Sequence, residues 1–169
     1  IIEFVAQSKK IMPHFHIPLQ SGNNRILSLM KRRYQRELYK ERVEYIKKLM
    51  PHCCIGVDVI VGFPSESEEE FQDTFNFLHE IDISYLHVFT YSERDHTQAL
   101  TIEPVVPIEV RNQRNKILRN LSFQKLNFFT EQHRGQSRAV LFEQADKNGM
   151  MEGYSDNYIK IQASYKKER

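Results

Sequence analysis

The sequence predicts a parallel α/β unit followed by a small all-β unit, and three observations carry that prediction. Short β-branched or aromatic runs, "HFHIPLQ" (14–20), "CIGVDVIVG" (54–62) and "SYLHVFTYS" (84–92), alternate with stretches of helical periodicity, which gives the order βαβαβ. The middle run is apolar on both faces except at Asp58, the pattern of a parallel strand with helices covering both sides of its sheet. Beyond Gly135 the pattern changes to short alternating runs joined by turn residues, as antiparallel strands require.

The elements follow in order. A short helical stretch, "IIEFVAQSKK", precedes the first strand. Ile26, Leu29, Met30, Val43, Ile46 and Leu49 recur at helical spacing and predict helix from Arg25 to Met50, with Asn23 and Asn24 available as caps. Phe71, Phe75 and Leu78 predict a second helix over Glu68 to Ile81. Its start is signed by a capping box, either Ser65 with Glu68 or Ser67 with Glu70. "TIEPVVP" (101–107) reads as a linker. From Ile108 to about His133 a long helix is expected, with Val110, Ile117, Leu118, Leu121 and Phe128 as its buried stripe and Gly135 as its stop. "SRAVLFEQ", the turn "DKNGM" and "EGYSDNYIKIQASY" then build the β unit. The division falls between residues 1–134 and 135–169.

Composition bounds the class. Over 169 residues, 40 % hydrophobic and 27 % charged are ordinary globular values. No apolar run approaches the ~20 residues of a membrane helix, and the N-terminus lacks the order of a signal peptide, so no membrane association and a reducing cytoplasm are expected. Cys53 and Cys54 are adjacent, which suits neither an ordinary disulfide nor a spaced metal-ligand set, and they read as plain thiols. A net charge of +2 does not diagnose nucleic-acid binding, and the basic run "KRRYQRELYKERVEYIKK" reads as a solvated helix face.

In parallel α/β architectures functional groups collect on the loops at the carboxyl ends of the strands. Here those loops are "QSGNN", "GFPSES" and "YSERDHT", which should share one rim. The rim carries Gln20, Ser21, Arg32, Asp58, Ser92, Glu93 and Arg94, with Gly22 and Gly62 where backbone can approach a ligand. An amide, a guanidinium and a carboxylate on a glycine-lined edge suit a nucleoside or amino-acid ligand. The plainer alternative makes Asp58 a satisfied buried carboxylate and Gln20 a loop cap. Three βα units are too few to close an eight-stranded barrel, so a partial, open barrel is expected, as in a piece of a larger domain.

"HIPLQSGNNRILSLMKRRY", "DVIVGFPSESEEEF" and "HVFTYSERDHTQA", in this order and spacing, resemble the second half of the TIM-like radical S-adenosylmethionine (SAM) barrel of the tRNA and ribosomal-protein methylthiotransferases. "HFHIPLQSG", "YLHVF" and "GYSDNYIKI" are most similar to the branch that methylthiolates N6-threonylcarbamoyladenosine at position 37 of tRNA. "GFPSES" departs from the more usual "GFPGET", and His96 stands where glycine is common. The resemblance implies a SAM site in which Gln20 and Asp58 meet the ribose and Arg32 holds the methionine carboxylate. Ile60 would pack on adenine, with Ser92 near the adenine, Arg94 near the substrate or the cofactor carboxylate, and Ser21 and Gly62 on the same edge. It also implies that residues from about Gly135 begin a small RNA-binding TRAM β-barrel, in which Tyr154, Tyr158 and Lys160 would grip a tRNA anticodon loop. Arg111, Arg114 and Arg119 on the long helix are weaker candidates for phosphate contacts, a solvated basic face being the simpler reading.

The family's catalytic chemistry uses [4Fe-4S] clusters: a reduced cluster cleaves SAM, and the radical formed abstracts hydrogen from C2 of the modified adenine. The CxxxCxxC that would ligate that cluster is absent from this sequence, so the resemblance implies a catalytically inactive C-terminal part of a longer enzyme, with self-association of the open barrel expected. Two other readings compete. His14 and His16, two apart on one strand, could serve a metal-dependent hydrolase with His87 and Asp58, or the chain could be a non-catalytic RNA-binding module.

Overall fold

The computed structural model describes residues 1–165. After a short helix α1 (Ile2–Gln7), three parallel strands form one sheet in the order β1-β2-β3: β1 (His14–His16), β2 (Cys54–Val61) and β3 (Tyr85–Thr90). Helices α2 (Asn24–Leu29) and α3 (Arg36–Leu49) lie between the first two strands, and α4 (Glu68–Glu80) between the second and third. Helix α5 (Ile108–Gln132) follows and packs along β3. A separate antiparallel sheet, β4 (Val140–Phe142), β5 (Met150–Ser155) and β6 (Lys160–Ser164), closes the described chain.

The core explains the sheet. Ile55, Val57, Val59 and Val61 are all fully buried and face the helices, meeting Val43, Ile46, Phe71, Leu78 and Leu118. Side chains alternate along a strand, so Cys54, Gly56, Asp58 and Ile60 point to the opposite face, together with His14, His16, Tyr85, His87 and Phe89 from the neighbouring strands. The expectation of helices on both faces is therefore corrected. The core helices pack on one face, and the other corresponds to the inner side expected of a partial barrel. The apolar run misleads because Cys54 is covered by Phe129 and Ile159 at the lower end of this face, while Gly56 lies under the Tyr85 ring.

Three local expectations also change. The strand expected over 14–20 is regular only to His16. Its continuation still follows β2, with Ile17 N donating to Gly56 O at 2.9 Å and Ile60 N donating to Gln20 O at 2.9 Å. The helix expected from Arg25 to Met50 is two helices. Lys31 adopts φ +56 and Arg32 N donates back to Leu27 O, a helix-ending turn that swings Lys31 and Arg32 off the helix axis. Of the two capping boxes, Ser67 with Glu70 forms and Ser65 with Glu68 does not, since Ser65 sits at φ +68 outside the helix.

The long helix forms as expected, but its buried stripe differs. Phe129, not Phe128, is buried, and so are Arg111 and Arg114. Those two arginines neither form a solvated face nor reach toward phosphates, because each is consumed by internal partners. Arg111 donates to Val106 O, Tyr91 O and Glu93, while Arg114 donates to Glu66 and Glu68. Arg119 is exposed. Among the described residues no helix is long and apolar enough to cross a membrane.

Candidate functional site

The carboxyl ends of β2 and β3 open onto a cleft of about 1150 Å³. Gln20, Arg32, Asp58, Ile60, Ser92 and Arg94 all line it. Each arrives by a local device. Gln20 ends the β1 continuation at φ +75, a left-handed turn that aims its side chain off the strand path. Arg32 reaches the cleft because the helix breaks at Lys31. Asp58 and Ile60 are alternate inner-face residues of β2. Ser92 and Arg94 lie on the loop after β3, which Arg111 anchors from behind through Tyr91 O at 3.0 Å and Glu93 Oε1 at 2.6 Å. That guanidinium holds the Glu93 carboxyl below the usual carboxylate range.

Ser21, Gly22 and Gly62 do not line the cleft. Ser21 is fully buried, its hydroxyl 3.2 Å from Thr74 Oγ1 on α4, and Gly22 packs against Thr74 and Phe77. Gly62, at φ +73, approaches Arg111, and its N–H donates to Glu66 Oε2 at 2.7 Å. The two glycines do permit close backbone approach, but to helices α4 and α5. Behind this rim lies a buried ion pair, Arg114 with Glu66 at 2.8 Å. Burial pushes the Glu66 carboxyl up, outweighing the Gly62 N–H and Arg114, which pull it down.

Several cleft residues carried no signal of their own in the sequence. Phe63, Phe89, Lys31 and Thr97 also line it. Phe89 could have been found by strand period, since Tyr85, His87 and Phe89 must share the face of Asp58 once β3 pairs in parallel with β2. Ile60, Phe63 and Phe89 give one wall an apolar surface, while Arg32 and Arg94 supply cations and Asp58 an anion.

The inner face between the cleft and its lower end is lined by imidazoles and phenols. His16 Nε2 lies 2.8 Å from Asp58 Oδ1, and the His16 and His87 rings are 5.2 Å apart. Lower down, His14 Nε2 is 3.0 Å from the Tyr85 hydroxyl, and burial, with His16 nearby, lowers the His14 pKa. Among the described residues no group of three or more His, Cys, Asp and Glu side chains is placed to hold a metal ion. His14 and His16 thus share a face as expected but point to different partners.

Tyr154 and Tyr158 stack on each other at 4.7 Å, and Tyr158 stacks on His14 at 4.0 Å with rings 4° from parallel. Tyr158 stands at the β5–β6 turn with φ +67, beside the buried Asn157, whose amide donates to His52 O at 3.1 Å. Lys160 is paired with Glu152 at 2.5 Å. These three residues come together, but at the amino ends of the parallel strands, away from the cleft.

The chain is similar to known proteins along nearly its whole length. Residues 1–78 match the Radical SAM superfamily. Over nearly the whole chain the sequence is 44 % identical to threonylcarbamoyladenosine tRNA methylthiotransferase MtaB of Aquifex aeolicus, covering 99 % of this chain and 40 % of that protein. It is 40 % identical to MtaB of Bacillus subtilis, covering 95 % and 37 %. It is also 35 % identical to tRNA-2-methylthio-N(6)-dimethylallyladenosine synthase of Staphylococcus epidermidis, covering 92 % and 31 %. The parallel sheet and its rim belong to a radical SAM protein. Within that superfamily the chain is a member of the MtaB-type family, and it spans about two fifths of the length of its MtaB relatives.

Proposed function

We propose that this chain is the C-terminal part of a radical SAM tRNA methylthiotransferase acting at C2 of the modified adenosine 37, and that the cleft holds SAM. One observation carries the reading: six residues scattered from position 20 to position 94 converge on a single cleft at the carboxyl ends of parallel strands. Their chemistry fits the ligand. Asp58 has one carboxylate oxygen engaged by His16 and a second without a protein partner among the described residues, suited to a ribose hydroxyl. Ile60, with Phe63 and Phe89, offers an apolar surface for adenine. Arg32 and Arg94 offer guanidiniums for the methionine carboxylate, and Gln20 and Ser92 add neutral hydrogen-bonding groups. SAM, when bound, supplies both a radical precursor and a methyl group.

The iron–sulfur clusters do not fit residues of this chain. Its two cysteines are buried on β2 or just before it, and burial pushes Cys53 up to about 12 and Cys54 up to about 11, the reverse of what a thiolate ligand needs. Cluster ligands therefore belong to other parts of the enzyme, and the 169-residue chain alone is inactive. The small β unit would be the start of a TRAM domain facing the anticodon loop. Comparison with the related names supports tRNA as substrate, and the threonylcarbamoyl form of the base is favoured over the dimethylallyl form by the higher identity to the MtaB proteins.

Mass spectrometry of tRNA nucleosides tests this proposal. Deleting the gene should remove the 2-methylthio derivative of N6-threonylcarbamoyladenosine, and the intact protein should restore it while its Asp58→Ala variant does not. Unchanged tRNA after deletion, or full restoration by the variant, would refute the assignment.

A further inference from the structure

We infer that His16 is a positioning residue for Asp58, fixing one carboxylate oxygen so that the other faces the cleft. This rests on the proposed SAM site. The arrangement follows from strand geometry. His16 stands opposite Gly56 in the β1–β2 register, and Gly56 has no side chain. The imidazole can therefore lean along the sheet to Asp58, two residues further on β2, where Nε2 meets Oδ1 at 2.8 Å. A carboxylate oxygen only accepts, so Nε2 carries the hydrogen. On the other side Asp58 is paired in register with His87, whose ring lies 5.2 Å from that of His16 and edge-on to Tyr85.

His16 thus lies between the His87 ring on one side and the Asp58 carboxylate on the other. Asp58 is short and partly exposed, so without the histidine its carboxylate can rotate through several orientations, and ligand binding would have to order it. No other protein group bonds to either Asp58 oxygen among the described residues. Among the described residues no third metal-ligating side chain lies with His16 and Asp58, which favours this role for His16 over that of a metal ligand.

Isothermal titration of the intact protein with SAM tests the inference on binding rather than turnover. Asp58→Ala is expected to weaken binding by at least tenfold. His16→Phe keeps the ring but removes the donor, and should weaken binding about tenfold without lowering the melting temperature. His16→Gln, whose amide N–H reaches the same place, should restore affinity to within about twofold of wild type. His16→Asn is polar but too short to reach, and should bind as weakly as the Phe variant, which covers the case in which Phe misfolds. Wild-type affinity in the Phe or Asn variant, or failure of Gln to rescue, would overturn the positioning role while leaving the SAM site standing. Wild-type affinity in Asp58→Ala would instead remove the SAM site itself, and the positioning role with it.

Discussion

The side chain of Arg111, on helix α5, lies directly across the backbone of Gly62 at the end of β2, so that a β-carbon on Gly62 would overlap Arg111 Cγ. From that position the guanidinium reaches Val106 O, Tyr91 O and Glu93, and one buried arginine ties together the rim loops after β2 and β3 and the linker into α5. Replacing Gly62 with Ala should therefore cost twice, once for a non-glycine residue at φ +73 and once for displacing Arg111. A loss of about 1–3 kcal/mol is expected in urea unfolding. A variant as stable as wild type would mean that Arg111 can move aside freely.

The Arg114–Glu66 pair gives a second prediction, because both side chains are buried and Glu66 Oε1 and Arg114 Nε lack hydrogen-bond partners among the described residues. Arg114→Met alone leaves a buried carboxylate without its cation and should cost about 3–5 kcal/mol, whereas adding Glu66→Gln should recover part of the loss. A double-mutant cycle by urea denaturation measures the coupling, and strictly additive losses would contradict it.

The same glutamate predicts a pH dependence. Its folded pKa is raised above the ordinary value of 4.5, chiefly by burial, so folding penalises the charged form. Relative to Glu66→Gln, wild-type stability should be fully present below about pH 4.5 and should decline as pH rises through the folded pKa. Unfolding free energies of the two proteins compared across that range check the sign. A difference that grows with rising pH would reverse it.

Much of the fold could be read from local pattern, and the exceptions have physical causes. Parallel strands and capped helices announce themselves through period and caps, as Val57, Val59 and Val61 or Ser67 with Glu70 show. The break at Lys31 did not, since a lysine in the left-handed region leaves no compositional mark, and that break is what delivers Arg32 to the cleft. Arg111 and Arg114 look like surface residues in one dimension. Only the tertiary fold brings Glu93 and Glu66 to them. Ser21 was misplaced for the converse reason: the left-handed turn at Gln20 sends that side chain to the cleft and Ser21 back into the Thr74 contact.

Cys53 and Cys54 should be inert in the native protein. With burial holding both thiols protonated well above neutral pH, alkylation by iodoacetamide at pH 8 is expected to be negligible until denaturant is added, when both react. Counting modified thiols by mass spectrometry with and without urea checks this, and rapid native labelling would contradict the burial.

Tyr158 joins the small sheet to the floor of the parallel sheet through its stack on His14. Tyr158→Phe should be nearly neutral, while Tyr158→Ala should lose about 1–3 kcal/mol and expose the β4–β6 unit to limited proteolysis. Equal protease resistance in all three proteins would show that the stack does not hold the unit in place.

The account depends most on what occupies the cleft, and a crystal structure of the intact protein soaked with SAM addresses that directly. The result expected is adenosine against Ile60 with a ribose hydroxyl on the Asp58 oxygen that His16 leaves free, and the methionine carboxylate at Arg32. Ordered SAM at any other surface, with Asp58 and Arg32 making no contact to it, would contradict the account.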